Sequence, residues 1–177
     1  MTAVKDQWER LSALPDCFGM HALQGLPRPK QAPWRLGDWV FATDGYLFVA
    51  VRSKEPASKL TSRHERLRSA ATTWTTEPIS SGREVAYADL LSVSGDLWVP
   101  TLCEDVPQRP LEVFGTPINA VYLAYGLRCV PPVETVQVGK IANQLAVVAP
   151  DWRILLAPLW RPSSGVIRSW PVQEVTS

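Results

Sequence analysis

Sixteen prolines in 177 residues punctuate this chain into short elements. A proline ring fixes φ and removes a backbone donor, so it is excluded from helix interiors and from central strands. Residues 3 to 14 have an amphipathic helical pattern, with Val4, Trp8 and Leu11 at i, i+4, i+7, and Pro15 ends it. Residues 17 to 24 are compatible with a first strand before the Pro-rich loop Leu26-Pro-Arg-Pro-Lys30. Strands are expected at about Trp34 to Ala42 and Tyr46 to Arg52. Between them stands Asp44-Gly45, a hairpin signal, because tight hairpin turns need positive φ values that Asp and Gly tolerate.

The middle of the chain predicts two helices. Over residues 57 to 72, Lys59, Arg63 and Arg66 fall on one face at the 3.6-residue period, and Leu60, Leu67 and Ala71 on the adjacent face. Ser81-Gly-Arg-Glu84 fits a capping box for a second helix at roughly 82 to 93, with Tyr87, Leu90 and Leu91 inward. Strand-like residues 97 to 103 and a short strand at Leu111 to Phe114 follow.

The last third has the clearest pattern. Thr116-Pro117 reads as an N-cap with proline at the first helical position. Ile118, Val121, Tyr122 and Tyr125 then recur at helical spacing until Pro131-Pro132 forbids continuation. Strands are expected at Glu134 to Lys140, Gln144 to Ala149 and Trp152 to Ala157, with Pro150-Asp151 making the last turn. The expected fold class is α+β, with antiparallel sheets carrying amphipathic helices on one face. One domain over 1–160 is the simplest division. Two similar halves, about 1–75 and 80–160, are the alternative, because a weaker helix-plus-strands unit opens the chain. Residues 161–177 read as a C-terminal extension.

Composition narrows the function classes. A chain of this length hides roughly 70% of its extended surface on folding, and an apolar fraction of 46% with 20% charged residues is ordinary for a globular protein. Net charge is +1 from 18 basic and 17 acidic side chains, which argues against wholesale electrostatic wrapping of nucleic acid but leaves room for a local basic face. Cys17, Cys103 and Cys129 are odd in number and far apart, matching neither a disulfide framework nor a metal site, so the cytoplasm is the expected compartment. No membrane span and no signal peptide is expected. The eight tryptophans are spread along the chain, as core and edge anchors are.

Catalytic motifs are sparse. Asp44 beside Gly45 reads as a turn residue rather than a catalytic carboxylate. His21 and His64 are the only histidines, and Cys17 with His21 cannot by themselves fill a tetrahedral zinc shell. No G-x-G arrangement, nucleophile elbow or paired-carboxylate pattern occurs. No catalytic residue, metal or cofactor is expected.

Three segments carry a resemblance. Ala42-Thr43-Asp44-Gly45-Tyr46-Leu47 is similar to the A-T-D-G-H-R-L stretch of the bacterial DNA sliding clamps, the polymerase III beta subunit family. Ile118-Asn119-Ala120-Val121-Tyr122-Leu123 is similar to that family's V-N-x-x-Y-L helix start, and Ile154-Leu155-Leu156-Ala157-Pro158-Leu159 to its I-I-M-P-M ending. The order is the family's, with the segments closer together. Tyr46 stands where the family has His, and the chain has room for one to one and a half of the family's three domains.

The resemblance implies a small, divergent, non-catalytic clamp-like protein of DNA replication, a processivity factor that self-associates because one such domain cannot encircle a duplex. It implies contact with double-stranded DNA through Lys59, Arg63 and Arg66, with Arg52 and Arg68 nearby, although Glu65 among them is equally compatible with a solvated face. It implies a partner site for polymerase or other replication proteins at Pro158 and Leu159, walled by Trp152 and Trp160, against the alternative that this strand end simply packs. Two other functions stay open: a protein-interaction module that keeps the clamp fold without encircling DNA, and a small unrelated enzyme.

Overall fold

The computed structural model describes residues 33–43, 45–54, 57–95, 108–159 and 167–171. Strands β1 (Trp34–Leu36), β2 (Trp39–Thr43), β3 (Leu47–Arg52) and the two-residue β4 (Ser58–Lys59) come first. A 3-10 turn (Ser62–His64) leads into helix α1 (Glu65–Thr76), and strand β5 (Ser80–Ala86) runs directly into α2 (Tyr87–Ser94). Then come β6 (Pro110–Val113), β7 (Thr116–Asn119), α3 (Ala120–Cys129), β8 (Thr135–Ile141), β9 (Gln144–Ala149), β10 (Trp152–Leu156) and β11 (Arg168–Trp170).

Eight strands form one sheet in the order β4-β1-β2-β3-β10-β9-β8-β5, antiparallel except for β4, which lies parallel to β1. The α+β class expected from the sequence is what the chain adopts. Strands β3 and β10 come from opposite ends of the described chain and pair in register, Leu47 with Leu156 and Trp152 with Val51. The stretches about 1–75 and 80–160 therefore contribute to one continuous sheet. A second sheet, β11-β6-β7, includes Arg168–Trp170 running parallel to β6, so part of the expected C-terminal extension is built into the fold.

Alternation along each strand separates two cores. Val40, Ala42, Leu47, Val49, Val147, Trp152, Ile154 and Leu156 face α2, α3 and the small sheet. Phe41, Phe48, Ala50, Ala146 and Leu155 face Leu67 and Ala71 of α1, together with Trp34. Helices α2 and α3 share one face, as expected, while α1 covers the other. Because β2 and β3 are buried on both faces, Val40-Phe41-Ala42 and Leu47–Ala50 read as unbroken apolar runs rather than as alternating ones.

Local chemistry moved several boundaries. The helix expected over 57 to 72 begins only at Glu65: Ser58 and Lys59 pair with Trp34 and Arg35, and the Thr61 N–H donates to His64 Nδ1 (3.1 Å), closing the 3-10 turn first. Ser81-Gly-Arg-Glu84 is not a helix cap. These residues belong to β5, where two residues bulge opposite β8 and Ser81 takes a φ of 53°. Thr116-Pro117 is likewise strand. The α3 cap is Asn119, whose Oδ1 accepts from Val121 N–H (3.1 Å) and Arg109 N–H (3.2 Å). The strands expected at 111 to 114, 134 to 140, 144 to 149 and 152 to 157 fall on β6, β8, β9 and β10. The readings over 3 to 14, 17 to 24, 26 to 30 and 97 to 103 lie outside the described residues, as does Asp44. Among the described residues no helix is long and apolar enough to cross a membrane.

Candidate functional site

The three segments that carry the family resemblance meet at one corner. Strand β3 begins at Leu47 against Leu156, the last residue of β10. Just beyond, Ala157 N–H donates to the Tyr46 carbonyl (2.8 Å), and Leu159 N–H donates to the Pro117 carbonyl (2.8 Å). These two hydrogen bonds stitch the chain after β10 to the hairpin on one side and to the strand before α3 on the other. The Tyr46 ring lies 6.1 Å from that of Tyr122 on α3. Helix α3 comes close to the sheet because Gly126 has no side chain: a Cβ there would sit 3.0 Å from Ile154 Cγ2 and 3.2 Å from Leu47 Cδ1.

Tyr46 is 60% exposed, the one exposed large hydrophobic residue among the described residues. Tyr122, Ala157, Pro158 and Leu159 around it are half-buried. The corner therefore presents an aromatic ring with a polar tip beside an apolar rim, the mixture that protein interfaces favour. The two backbone hydrogen bonds hold the chain after β10 against both of its neighbours at this corner.

Trp152 does not wall this corner. It is 1% exposed and faces α2 from the middle of the larger core, with its ring 6.2 Å from that of Tyr87 in an edge-on contact. Alternation along β10 puts residue 152 on the inner face. Trp160 lies outside the described residues, and Pro158 and Leu159 belong to the corner.

The basic residues do not assemble into one helical face. Lys59 is exposed on β4, not on a helix. Arg63 stands in the 3-10 turn before α1. Arg66 and Arg68 are both exposed on α1, but two residues of helix turn them to opposite sides of the buried stripe Leu67, Ala71 and Thr75. Arg68 Nη2 donates to the Leu60 carbonyl (3.0 Å), and Arg52 lies at the end of β3 with its guanidinium 5.1 Å from the Trp39 ring centre. The periodicity that grouped Lys59, Arg63 and Arg66 presupposed helix where the chain forms a strand and a 3-10 turn.

His64 is buried, with its ring 4.5 Å from Trp34 and its Nδ1 held by Thr61. Cys129 is buried in α3. Among the described residues no three His, Cys, Asp or Glu side chains are grouped to hold a metal. Cys17, His21 and Cys103 lie outside them.

Sequence reasoning missed Arg153. Half-buried on β10, its Nη1 donates to the carbonyls of Trp74 (3.2 Å) and Glu77 (2.7 Å) at the end of α1. Burial, and secondarily the positive charge of Arg52, hold its guanidinium below its ordinary range. The signal was the β10 alternation, which puts residue 153 on the same face as Leu155 once Trp152 is assigned inward. Comparison of the chain with protein-family models, with curated proteins and with solved structures gives no match.

Proposed function

We propose that the chain is a non-catalytic, clamp-like protein of DNA replication that acts in the cytoplasm by binding other proteins at the corner formed by Tyr46, Tyr122, Pro158 and Leu159. What supports the reading is the convergence itself. Three segments far apart in sequence, each similar to a clamp segment, come together there: the Ala157–Tyr46 hydrogen bond joins two of them, and the Tyr46–Tyr122 ring contact, with the Leu159–Pro117 hydrogen bond one residue before it, brings in the third. A chance likeness of three short motifs carries no requirement that they touch. The exposed Tyr46 ring gives the corner an anchor of the kind that dominates interface energetics.

The test uses a short peptide from a replicative DNA polymerase, titrated into the full chain by calorimetry. Saturable binding is expected in the wild type. Tyr46→Ser is expected to weaken it by about tenfold or more, which is about 1.4 kcal/mol, with thermal unfolding little changed because the ring is mostly in solvent. Absence of binding to polymerase peptides, or an unchanged affinity in Tyr46→Ser, removes the reading. The clamp assignment also requires self-association, so a strict monomer in sedimentation at high concentration removes a ring.

Contact with double-stranded DNA is a second reading, favoured by the exposure of Lys59, Arg66 and Arg68 around the start of α1. Phosphate contacts make affinity fall steeply with salt. If these residues touch DNA, Lys59→Gln together with Arg66→Gln flattens the slope of log affinity against log salt by roughly two, about one per lost contact. A slope near zero in the wild type leaves the protein-binding reading alone.

A further inference from the structure

A polar row crosses the sheet face that α1 leaves uncovered. In the strand register Arg153 lies opposite Val148, Val148 opposite Gln137, and Gln137 opposite Glu84, so four neighbouring strands contribute one line of side chains. Arg153 also lies opposite Ala50, two residues before Arg52 on β3, which makes Arg52 its diagonal neighbour on the same face. Arg52 is in turn opposite Trp39, whose ring carries its guanidinium. These six side chains line a cleft of about 490 Å³, a size suited to a small organic ligand.

The cleft has two poles. Arg52 and Arg153 bring two like charges together, and no carboxylate among the described residues is paired with either. Glu84 is at the other end, three strand spacings from Arg153, or roughly 14 Å. Its carboxylate accepts a hydrogen bond from Gln137 Nε2 (3.4 Å). Trp39 under Arg52 and the two carbonyls held by Arg153 fix both guanidiniums in place before any ligand arrives. A monocarboxylate is satisfied by one bidentate arginine, whereas two preorganised guanidiniums match a dianion.

We propose that this cleft binds a phosphate monoester of nucleotide size, with the phosphate between Arg52 and Arg153 and a hydrogen-bond donor of the ligand at Glu84. Val148 and Gln137 form the floor between the poles. The site lies on the α1 face of the sheet, and its Arg52 and Arg153 contacts are independent of the protein-binding corner.

Adenosine 5′-monophosphate, inorganic phosphate and adenosine are the probes, titrated into the full chain by calorimetry. Binding of both phosphate-bearing probes is expected, with the nucleotide tighter because it also reaches Glu84. Arg52→Gln, at an exposed position that leaves the fold intact by circular dichroism, is expected to weaken both by at least about tenfold. Glu84→Gln is expected to weaken the nucleotide and leave inorganic phosphate unchanged. Arg168→Gln, at an exposed position on β11 of the small sheet, is a control and is expected to change nothing. Equal affinity for both phosphate-bearing probes overturns the assignment of a donor at Glu84. The proposal is overturned if neither phosphate-bearing probe binds, if adenosine binds as well as its phosphate, or if Arg52→Gln binds like the wild type. Competition by a duplex lacking terminal phosphates also overturns it and assigns the arginines to DNA.

Discussion

Trp152→Ala is expected to destabilise the fold by about 3–5 kcal/mol, a large share of the roughly 5–15 kcal/mol that holds a domain together. The ring sits at the start of β10, where that strand joins β3 and β9, and its edge meets Tyr87 of α2. Tyr87 is itself tied to α3 by a hydrogen bond from its hydroxyl to the Leu127 carbonyl (2.6 Å). Removing the indole therefore leaves a cavity at a junction of three elements that are each fixed by other contacts, so the site collapses poorly and the cost falls at the upper end of the range. Trp152→Phe is expected to cost much less, because the indole Nε1 is buried with no hydrogen-bond partner and its loss removes a desolvation penalty. Urea unfolding of the two variants measures both effects. An exposed pocket wall would instead give two variants of near wild-type stability.

The contrast between Trp152 and Tyr46 shows what the sequence made legible. Both are aromatic residues at strand starts, and composition cannot tell them apart. The three-strand meander was legible because Pro131-Pro132 precedes it, Pro150-Asp151 turns its second strand into its third, and its strands are rich in Val, Ile and Leu. Which residues of each strand meet which helix was not, because the sheet is covered on both faces, by α2 and α3 on one and by α1 on the other. The hairpin at Gly45 was legible for a local reason: Gly45 takes a φ of 91° and its N–H donates to Thr43 Oγ1 (3.0 Å).

Helix starts fared worse. Capping patterns need only Ser or Thr and a Glu or Pro at a set spacing, and a strand residue meets that condition as easily as a cap does. Ser81–Glu84 and Thr116-Pro117 both matched the pattern and both lie in strands, β5 against β8 and β7 against β6. The single helical face expected for Lys59, Arg63 and Arg66 does not form for a related reason, since Lys59 pairs as strand with Arg35. The polar cleft on the α1 face was illegible for a different reason. Its six residues come from six strands, and only register brings Trp39 beside Arg52 or Glu84 beside Gln137.

Gly139→Val is expected to cost about 3 kcal/mol, at the top of the usual range for overpacking, and to loosen one strand before the rest. Gly139 is buried on β8 directly beneath the β5 bulge. A Cβ at this position would lie 2.5 Å from the Ser80 carbonyl oxygen and 3.0 Å from both the Gly82 nitrogen and Cα. All three are backbone atoms, so no side chain can rotate away, and relief requires the bulge to shift. Ser81 already holds a φ of 53° there, which costs a non-glycine residue energy and leaves little freedom to adjust. Strand β5 is at the sheet edge with one neighbour, so it gives way first. Amide hydrogen exchange is expected to speed up along β5 more than along β3 and β10 at the sheet centre. Gly37→Ala supplies the comparison: its φ is 58° but nothing lies within 4 Å of the added Cβ, so it is expected to cost only the conformational term, about 1–2 kcal/mol, with exchange along β5 unchanged. Equal exchange in both variants would mean that Gly139 is required for its conformation rather than for the close approach of β5. Because Glu84 reaches the cleft from that strand, loosening β5 is also expected to weaken nucleotide binding while sparing inorganic phosphate at Arg52 and Arg153.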